Sequence, residues 1–186
     1  MTIQSPITTE KETNILQSFS DATAGRSLQL YYAMASTSTA GTSFILSRDA
    51  GTSDPDKQVY DDNPDVNYDI TINKPTIVGG LATIDLTLTN ASAGGGAVTT
   101  AACTIYHYDG STETSLGTAT ASYTSDVTSS QTRKLIITVS KKLFKIGDTL
   151  RLNIILTQSN CTSEVQLNPF VAGNECKLWL PIVNLE

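Results

Sequence analysis

The chain has 186 residues, of which only 16% are charged, and its 12 basic and 18 acidic residues give a formal net charge of −6. This acidic balance argues against binding to nucleic acid, because a phosphate backbone is bound by clustered lysine and arginine. No apolar stretch approaches the roughly 20 residues that a membrane helix requires. The length suits one domain, or one domain with an arm.

Small hydroxyl residues dominate the composition, with 28 threonines and 19 serines. Threonine suits a pleated strand and serine suits turns, so the composition predicts an all-β protein of the extracellular or particle type. Residues 1–11 lack the apolar stretch that is typical of a signal peptide. We therefore expect a protein that does not use the ordinary secretory route, which is the situation of virion proteins released by lysis.

Residues 1–24 lack strand alternation and are predicted to form an extended N-terminal arm. Thr9 and Glu12 match a capping box, which favours one short amphipathic helix within the arm. The arm has too little apolar content to fold alone, yet too much for a solubilising tail. We expect it to become ordered on a partner. The predicted partner-binding side chains are Ile3, Ile7, Ile15, Leu16 and Phe19.

Residues 25–186 are predicted to form the β-domain, because apolar residues alternate with polar ones from Leu28 onward. Asp109-Gly110 predicts a hairpin with a type I′ turn, and Gly147-Asp148 predicts a second turn. Pro181 in the final strand predicts an edge position or a strand end. The predicted core comprises Leu30, Tyr32, Ile70, Ile72, Leu86, Leu88, Ile137, Leu152, Ile154 and Leu178.

About nine or ten short strands, with no helix long enough to cover a sheet, predict an antiparallel two-sheet sandwich. A jelly roll accommodates eight core strands plus an arm, so we expect a jelly-roll-like fold. An immunoglobulin-like sandwich is the nearest rival. The Cys–Trp–Cys order of true immunoglobulin domains is absent, because Trp179 follows all three cysteines.

Catalytic chemistry finds little support in the sequence. His107 is the only histidine, so a Ser-His-Asp triad would have to use it, and no GxSxG motif accompanies any serine. A zinc or copper site built from His107 and Cys103 would need further ligands from elsewhere. A Cys161–Cys176 bridge is possible, but buried thiols are the simpler interpretation of the three cysteines. No enzyme activity and no cofactor are therefore predicted.

Charges and tyrosines offer three further alternatives. Six aspartates could bind Ca²⁺, but their spacing does not match an EF-hand, and a solvated acidic loop is favoured; they are Asp54, Asp56, Asp61, Asp62, Asp65 and Asp69. Half of the basic residues lie between positions 133 and 151, where edge protection of strands is the usual role. The seven tyrosines could form a sugar-stacking platform or serve packing. They are Tyr31, Tyr32, Tyr60, Tyr68, Tyr106, Tyr108 and Tyr123.

Two late segments carry a resemblance to a known class. One runs from Leu143 to Leu152 as LFKIGDTLRL, and the other comprises Asn168-Pro169 followed by KLWLPI at 177–182. With the composition, they resemble small head proteins of tailed bacteriophages of the auxiliary or decoration kind. The resemblance implies a non-enzymatic protein on the outer capsid surface of the virion, bound to the major capsid protein, commonly as a homotrimer. The alternative is a receptor- or carbohydrate-binding domain of a phage tail or fibre.

Overall fold

A computed structural model describes residues 27–35, 44–48, 59–61, 65–90, 98–124, 131–159, 165–167 and 176–184. Within these ranges the chain forms eleven strands and no helix, which confirms the all-β prediction. The predicted arm, residues 1–24, lies outside them. The strands are β1 (Ser27–Ala35), β2 (Phe44–Ser47), β3 (Val59–Asp61), β4 (Asp65–Thr71), β5 (Thr76–Asn90), β6 (Val98–Tyr108), β7 (Glu113–Thr124), β8 (Gln131–Phe144), β9 (Thr149–Ser159), β10 (Val165–Leu167) and β11 (Cys176–Asn184).

The strands form one continuous sheet rather than two separate ones. Its order is β3-β10-β5-β11-β1-β2-β4-β9-β6-β7, and β8 pairs with the other edge of β5. Nine of these strands form a nearly closed barrel, in the order β8-β5-β11-β1-β2-β4-β9-β6-β7. The predicted antiparallel pairing holds for every described ladder except β2–β4, which is parallel.

Two weak seams interrupt the barrel. At the first, β2 and β4 share a single bridge, between Ile45 and Asp69. At the second, the edge strands β7 and β8 pack against each other without a described ladder. Gly117 makes this second contact possible, because a Cβ there would lie only 2.4 Å from the carbonyl oxygen of Thr138. The two edges therefore meet where β7 carries no side chain.

The barrel interior is filled by alternate residues of the strands. Leu86, Ile137, Leu152, Ile154 and Leu178 each have no exposed surface, and Ile72 and Leu88 are also buried, as predicted. Ile70 is partly buried and packs against this core. Because inward and outward positions alternate along each strand, a register slip of one residue would expose the whole set.

The predicted inward face of β1 is wrong. Tyr31 and Ala33 point into the barrel, each only 1% exposed, whereas Leu30 and Tyr32 lie half-buried on the outer face. Apolar side chains occur on both faces of β1, so alternation alone cannot choose between them. Pairing with β11 decides the orientation, because Tyr31 lies opposite the buried Leu178.

The predicted β6–β7 hairpin is confirmed, but its turn is not a two-residue type I′ turn. Tyr108 pairs with Glu113, so the loop has the four residues between them. The Asp109 carboxylate holds this loop by accepting hydrogen bonds from the backbone N–H groups of Ser111 at 3.0 Å and Thr112 at 2.7 Å. These bonds and that of the Ser111 hydroxyl lower the pKa of Asp109 to about 2.

Pro181 does not mark an edge strand, contrary to the prediction. β11 lies between β1 and β5, and Pro181 faces Leu28 of β1. On its other side, the ladder with β5 is irregular between Trp179 and Ile182. A proline lacks the N–H that a regular ladder needs, and a bulge removes that need.

Candidate attachment surface

The outer face of β1, β11, β5 and β8 carries a row of apolar side chains. Leu30 lies opposite Trp179, which lies opposite Thr83, and Thr83 in turn lies opposite Ile136. Ile136 is 63% exposed and Leu81, on the same face of β5, is 52% exposed. Strands are about 4.8 Å apart, so the row spans roughly 14 Å. We call Leu30, Trp179, Leu81 and Ile136, which surround Thr83 on this face, the apolar row.

A charged row runs beside the apolar row on the same face, two residues away along each of the same strands. Tyr32 lies opposite Lys177, Lys177 opposite Asp85, and Asp85 opposite Lys134. The Lys134 ammonium lies 3.8 Å from an Asp85 carboxylate oxygen. The Lys177 ammonium lies 6.0 Å from the centre of the Tyr32 ring. Apolar centre and polar border together are the arrangement that protein interfaces use.

His107 is buried in the barrel interior, where it contacts Asp148 and Phe144. Its Nε2 lies 2.7 Å from Oδ2 of Asp148, its ring meets Phe144 edge to face at 4.6 Å between centres, and it is 5% exposed. Burial raises the pKa of Asp148, but the backbone N–H of Lys145 and the His107 hydrogen bond outweigh this and hold it below its usual range. The carboxylate is therefore ionised and accepts the hydrogen bond that Nε2 donates.

The opposite outer face, on β4, β9, β6 and β7, carries a network of charged side chains that pair with one another, and it also carries the exposed Ile155. Arg151 donates from Nε and Nη2 to the two Asp69 oxygens and from Nη1 to Glu113, each at 2.7 Å. The same guanidinium lies 5.5 Å from the Tyr108 ring centre. Hydrogen bonds to Asp69, partly offset by burial, raise the pKa of Arg151. This network cross-links three strands.

The tyrosine side chains that the structure describes do not form one platform. Tyr31, Tyr68 and Tyr123 are fully buried, which is the packing role that the sequence also allowed. Tyr106 and Tyr108 lie on the polar outer face of β6, and Tyr32 lies on the outer face of β1.

Most of the residues predicted to bind a partner or an ion lie outside the described part of the chain. This holds for Ile3, Ile7, Ile15, Leu16 and Phe19, and for Asp54, Asp56 and Asp62. Of Asp61, in β3, only the backbone is described, whereas Asp65 accepts a hydrogen bond from Asn153 and Asp69 is paired with Arg151. Among the described residues, no group of three or more His, Cys, Asp and Glu side chains could hold a metal ion. The arm contact and the calcium possibility therefore stay predictions.

The described cysteines lie in the core. Cys103 and Cys176 are both fully buried, and burial raises the pKa of Cys103 to about 12. A thiol with this pKa stays protonated at neutral pH and packs as a small apolar group. Cys161, the other half of the possible bridge, is not described.

Sequence reasoning missed the apolar row and the partner of His107. Strand alternation predicts a core position for Leu30, and Ile136 and Leu81 each stand alone in the sequence, so no local pattern indicates the apolar row. Asp148 was identified only as a turn residue. Its proximity to His107 arises because β6 pairs with β9, which places His107 opposite Leu150.

No family model matches the chain, and no curated protein is significantly similar to it. Solved structures share its fold. A CocE/NonD family hydrolase from Staphylococcus aureus aligns with a TM-score of 0.62 and 13% identity, over 86% of this chain and 37% of the hydrolase. An aminopeptidase from a marine-sediment Thaumarchaeota archaeon aligns with a TM-score of 0.51 and 10% identity, over 66% of this chain and 26% of that one.

An α-amino acid ester hydrolase gives a TM-score of 0.50 at 9% identity, over 63% of this chain and 25% of that protein. The chain thus spans well under half the length of these enzymes. At such low identity the likeness concerns the fold alone. The strands and loops described here include no helix that could span a membrane.

Proposed function

We propose that this protein is a non-enzymatic component of a phage virion that attaches to the outside of the capsid as a decoration protein. The observation that carries the proposal is the apolar row. Isolated exposed apolar residues are ordinary, but side chains aligned across four strands form a contiguous patch, and such patches mark interaction surfaces. In the proposed arrangement this face and the N-terminal arm bind the major capsid protein, with three copies around a threefold position.

The state of His107 supports the non-enzymatic part of the proposal. A serine or cysteine hydrolase of the triad type needs an accessible histidine beside its nucleophile. This chain has one histidine, which is 5% exposed and bonded to Asp148. No activity of this chain is inferred from the hydrolases that share its fold, because their sequence identity with it is 13% or lower.

The finer fold assignment is also a proposal. We propose that the two seams divide the barrel into two layers, β8-β5-β11-β1-β2 and β4-β9-β6-β7, that pack as a jelly-roll-like sandwich. The supporting contact is the Tyr123 hydroxyl of β7, which donates to the carbonyl of Leu86 in β5 at 3.1 Å.

The alternative function is a receptor- or carbohydrate-binding domain of a phage tail or fibre. A sugar-binding face needs exposed aromatic rings, and Tyr106 and Tyr108 are the pair on the polar outer face. The Tyr108 ring is stacked by Arg151, and its hydroxyl donates to the carbonyl of Gly110 at 2.9 Å. The described contacts therefore favour the attachment role over the sugar platform.

Co-sedimentation with mature capsids of the same phage tests the proposal. The L81S/I136S double variant should bind much more weakly than the wild type, because it removes the two most exposed side chains of the apolar row. The matched control is I146S, since Ile146 is 68% exposed but lies in the turn between β8 and β9. Full decoration by L81S/I136S would contradict the role of this face.

Trp179 provides a second readout, because it is the only tryptophan and belongs to the apolar row. Burial against the capsid should shift its fluorescence emission to shorter wavelength. A variant lacking residues 2–20 separates the contribution of the arm from that of the face. Bound protein with an unchanged Trp179 spectrum would place attachment elsewhere on the molecule.

A further inference from the structure

A pocket of about 410 Å³ lies beside the seam between β2 and β4. Because β2 and β4 are parallel, Arg48 after β2 and Ile72 after β4 emerge at the same end of the barrel. The two strands share only the Ile45–Asp69 bridge, so they leave a gap toward that end. The volume lies within the range of small-ligand sites, which is roughly 300–1,000 Å³.

The pocket wall is rigid where the described contacts can be traced. Ile72 donates its N–H to the carbonyl of Asp148 at 2.8 Å and accepts a bond from Gly147 N–H at 2.9 Å. Thr76 donates its hydroxyl to the carbonyl of Lys74 at 2.9 Å, which holds the bend between β4 and β5. These hydrogen bonds hold the backbone of the pocket wall at Ile72 and at the bend between β4 and β5.

The lining has a specific charge. Arg48 and Lys74 are its two cations, both side chains are exposed, and the described lining contains no carboxylate. Neither cation forms a salt bridge with any residue that the structure describes. The Arg48 guanidinium lies 6.0 Å from the ring centre of Tyr31, which places it beside another residue of the pocket lining. This local positive charge exists although the whole chain carries −6.

The remaining lining is suited to a polyhydroxylated ligand. Thr71 and Asn73 contribute a hydroxyl and an amide group, while Ile70 and Ile182 provide an apolar wall for C–H groups. Arginine and lysine bind carboxylates through charge-assisted hydrogen bonds, and this pocket has one of each in its lining. We propose that this pocket binds a sugar acid of monosaccharide size, with its carboxylate between Arg48 and Lys74. This function is additional to capsid attachment and does not depend on it.

Calorimetry and methyl NMR on the full chain test this inference with D-glucuronate as the probe. D-Glucose tests the need for the carboxylate, and acetate and inorganic phosphate test whether any anion suffices. We expect glucuronate to bind and to shift the methyl signals of Ile70 and Ile182. R48Q and K74Q should each weaken binding about tenfold or more, as the loss of a charge-assisted hydrogen bond implies.

The matched control is K141Q, because Lys141 is an exposed lysine on β8 outside the pocket lining. Its affinity should equal that of the wild type. Three results would overturn the inference: no binding of glucuronate, equal binding of glucose, or equal binding of acetate or phosphate. Equal loss of affinity in K141Q would also overturn it, because the effect would then reflect net charge alone.

Discussion

The Nε2 atom of His107 lies 2.7 Å from Oδ2 of Asp148, and neither residue is more than 8% exposed. Asp148 also accepts the N–H of Lys145 at 2.8 Å, and its own carbonyl accepts the N–H of Ile72 at 2.8 Å. One carboxylate residue therefore ties the β8–β9 turn to β6 and to the end of β4. We interpret the pair as a structural clamp.

Replacement of this carboxylate should lower stability in a pH-dependent way. The pKa of Asp148 is depressed in the folded state, so its contribution is present above the unfolded value of about 3.9 and is lost as the pH falls through the lower folded value. D148N should lower the free energy of unfolding at pH 7 by about 1–3 kcal/mol. Its stability should also fall less steeply than that of the wild type below pH 4, as urea titrations can measure.

A double-mutant cycle with H107Q separates the clamp from other effects of D148N. Because the two side chains touch, their combined cost should differ from the sum of the single costs. Strict additivity would show that the hydrogen bond contributes nothing of its own.

Gly117 should be intolerant of even a methyl group. G117A places a Cβ 2.4 Å from the Thr138 carbonyl oxygen and 2.8 Å from a methyl group of Ile137. The strands must then separate at the β7–β8 seam, at a cost of about 1–3 kcal/mol. Thr120 is an exposed residue of the same strand, and T120V should change stability by no more than about 0.5 kcal/mol. Thermal unfolding of both variants makes the comparison, and equal midpoints would argue against the close approach.

Core packing predicts a contrast between two residues of β9 that face opposite sides of the sheet. Leu152 has no exposed surface, whereas Ile155 is 40% exposed. L152A should cost about 2–5 kcal/mol, because it removes buried methyl groups and leaves a cavity. I155A should cost much less. Chemical denaturation measures the free energy of unfolding of both variants. Comparable losses in L152A and I155A would mean that the inward face of β9 is assigned wrongly.

The Arg151–Asp69 pair should show measurable coupling although it lies at the surface. Its two parallel hydrogen bonds of 2.7 Å are the geometry in which exposed ion pairs contribute, at about 1 kcal/mol. The R151M/D69N cycle should give that coupling, and high salt should reduce it. The single 3.8 Å contact of Lys134 and Asp85 is the control pair, with coupling near zero expected. Equal coupling in both cycles would refute the geometric argument.

The sequence allowed the strands and most of the core to be predicted, because a period of two is a local signal. Leu86, Leu88, Ile137 and Leu152 follow it directly. The period of two did not predict which face of β1 is buried, because both faces carry apolar side chains, Leu30 among them. The proline rule did not predict the position of β11 in the sheet, because a bulge permits Pro181 inside it. Both outcomes depend on β11, which is far from β1 in the sequence. Local patterns do not contain that information.

The surfaces could not be predicted for the same reason. Leu30, Leu81, Ile136 and Trp179 lie in separate parts of the sequence and meet only through the strand order. Arg48 and Lys74 likewise converge because β2 and β4 run parallel across the first seam. A sequence pattern can show that each side chain belongs to a strand or turn. It cannot show which strands are neighbours.

The pairing of β1 with β11 has a consequence for folding during synthesis on the ribosome. The Ser27 hydroxyl reaches the carbonyl of Ile182, which is 155 positions later in the chain. During synthesis β1 must wait for β11, with only β2 as an earlier neighbour in the sheet. Contacts between such distant segments slow folding, because a long loop must close before they form. We therefore expect the domain to acquire its native structure only after β11 has left the ribosome, which makes a chaperone useful to the nascent chain.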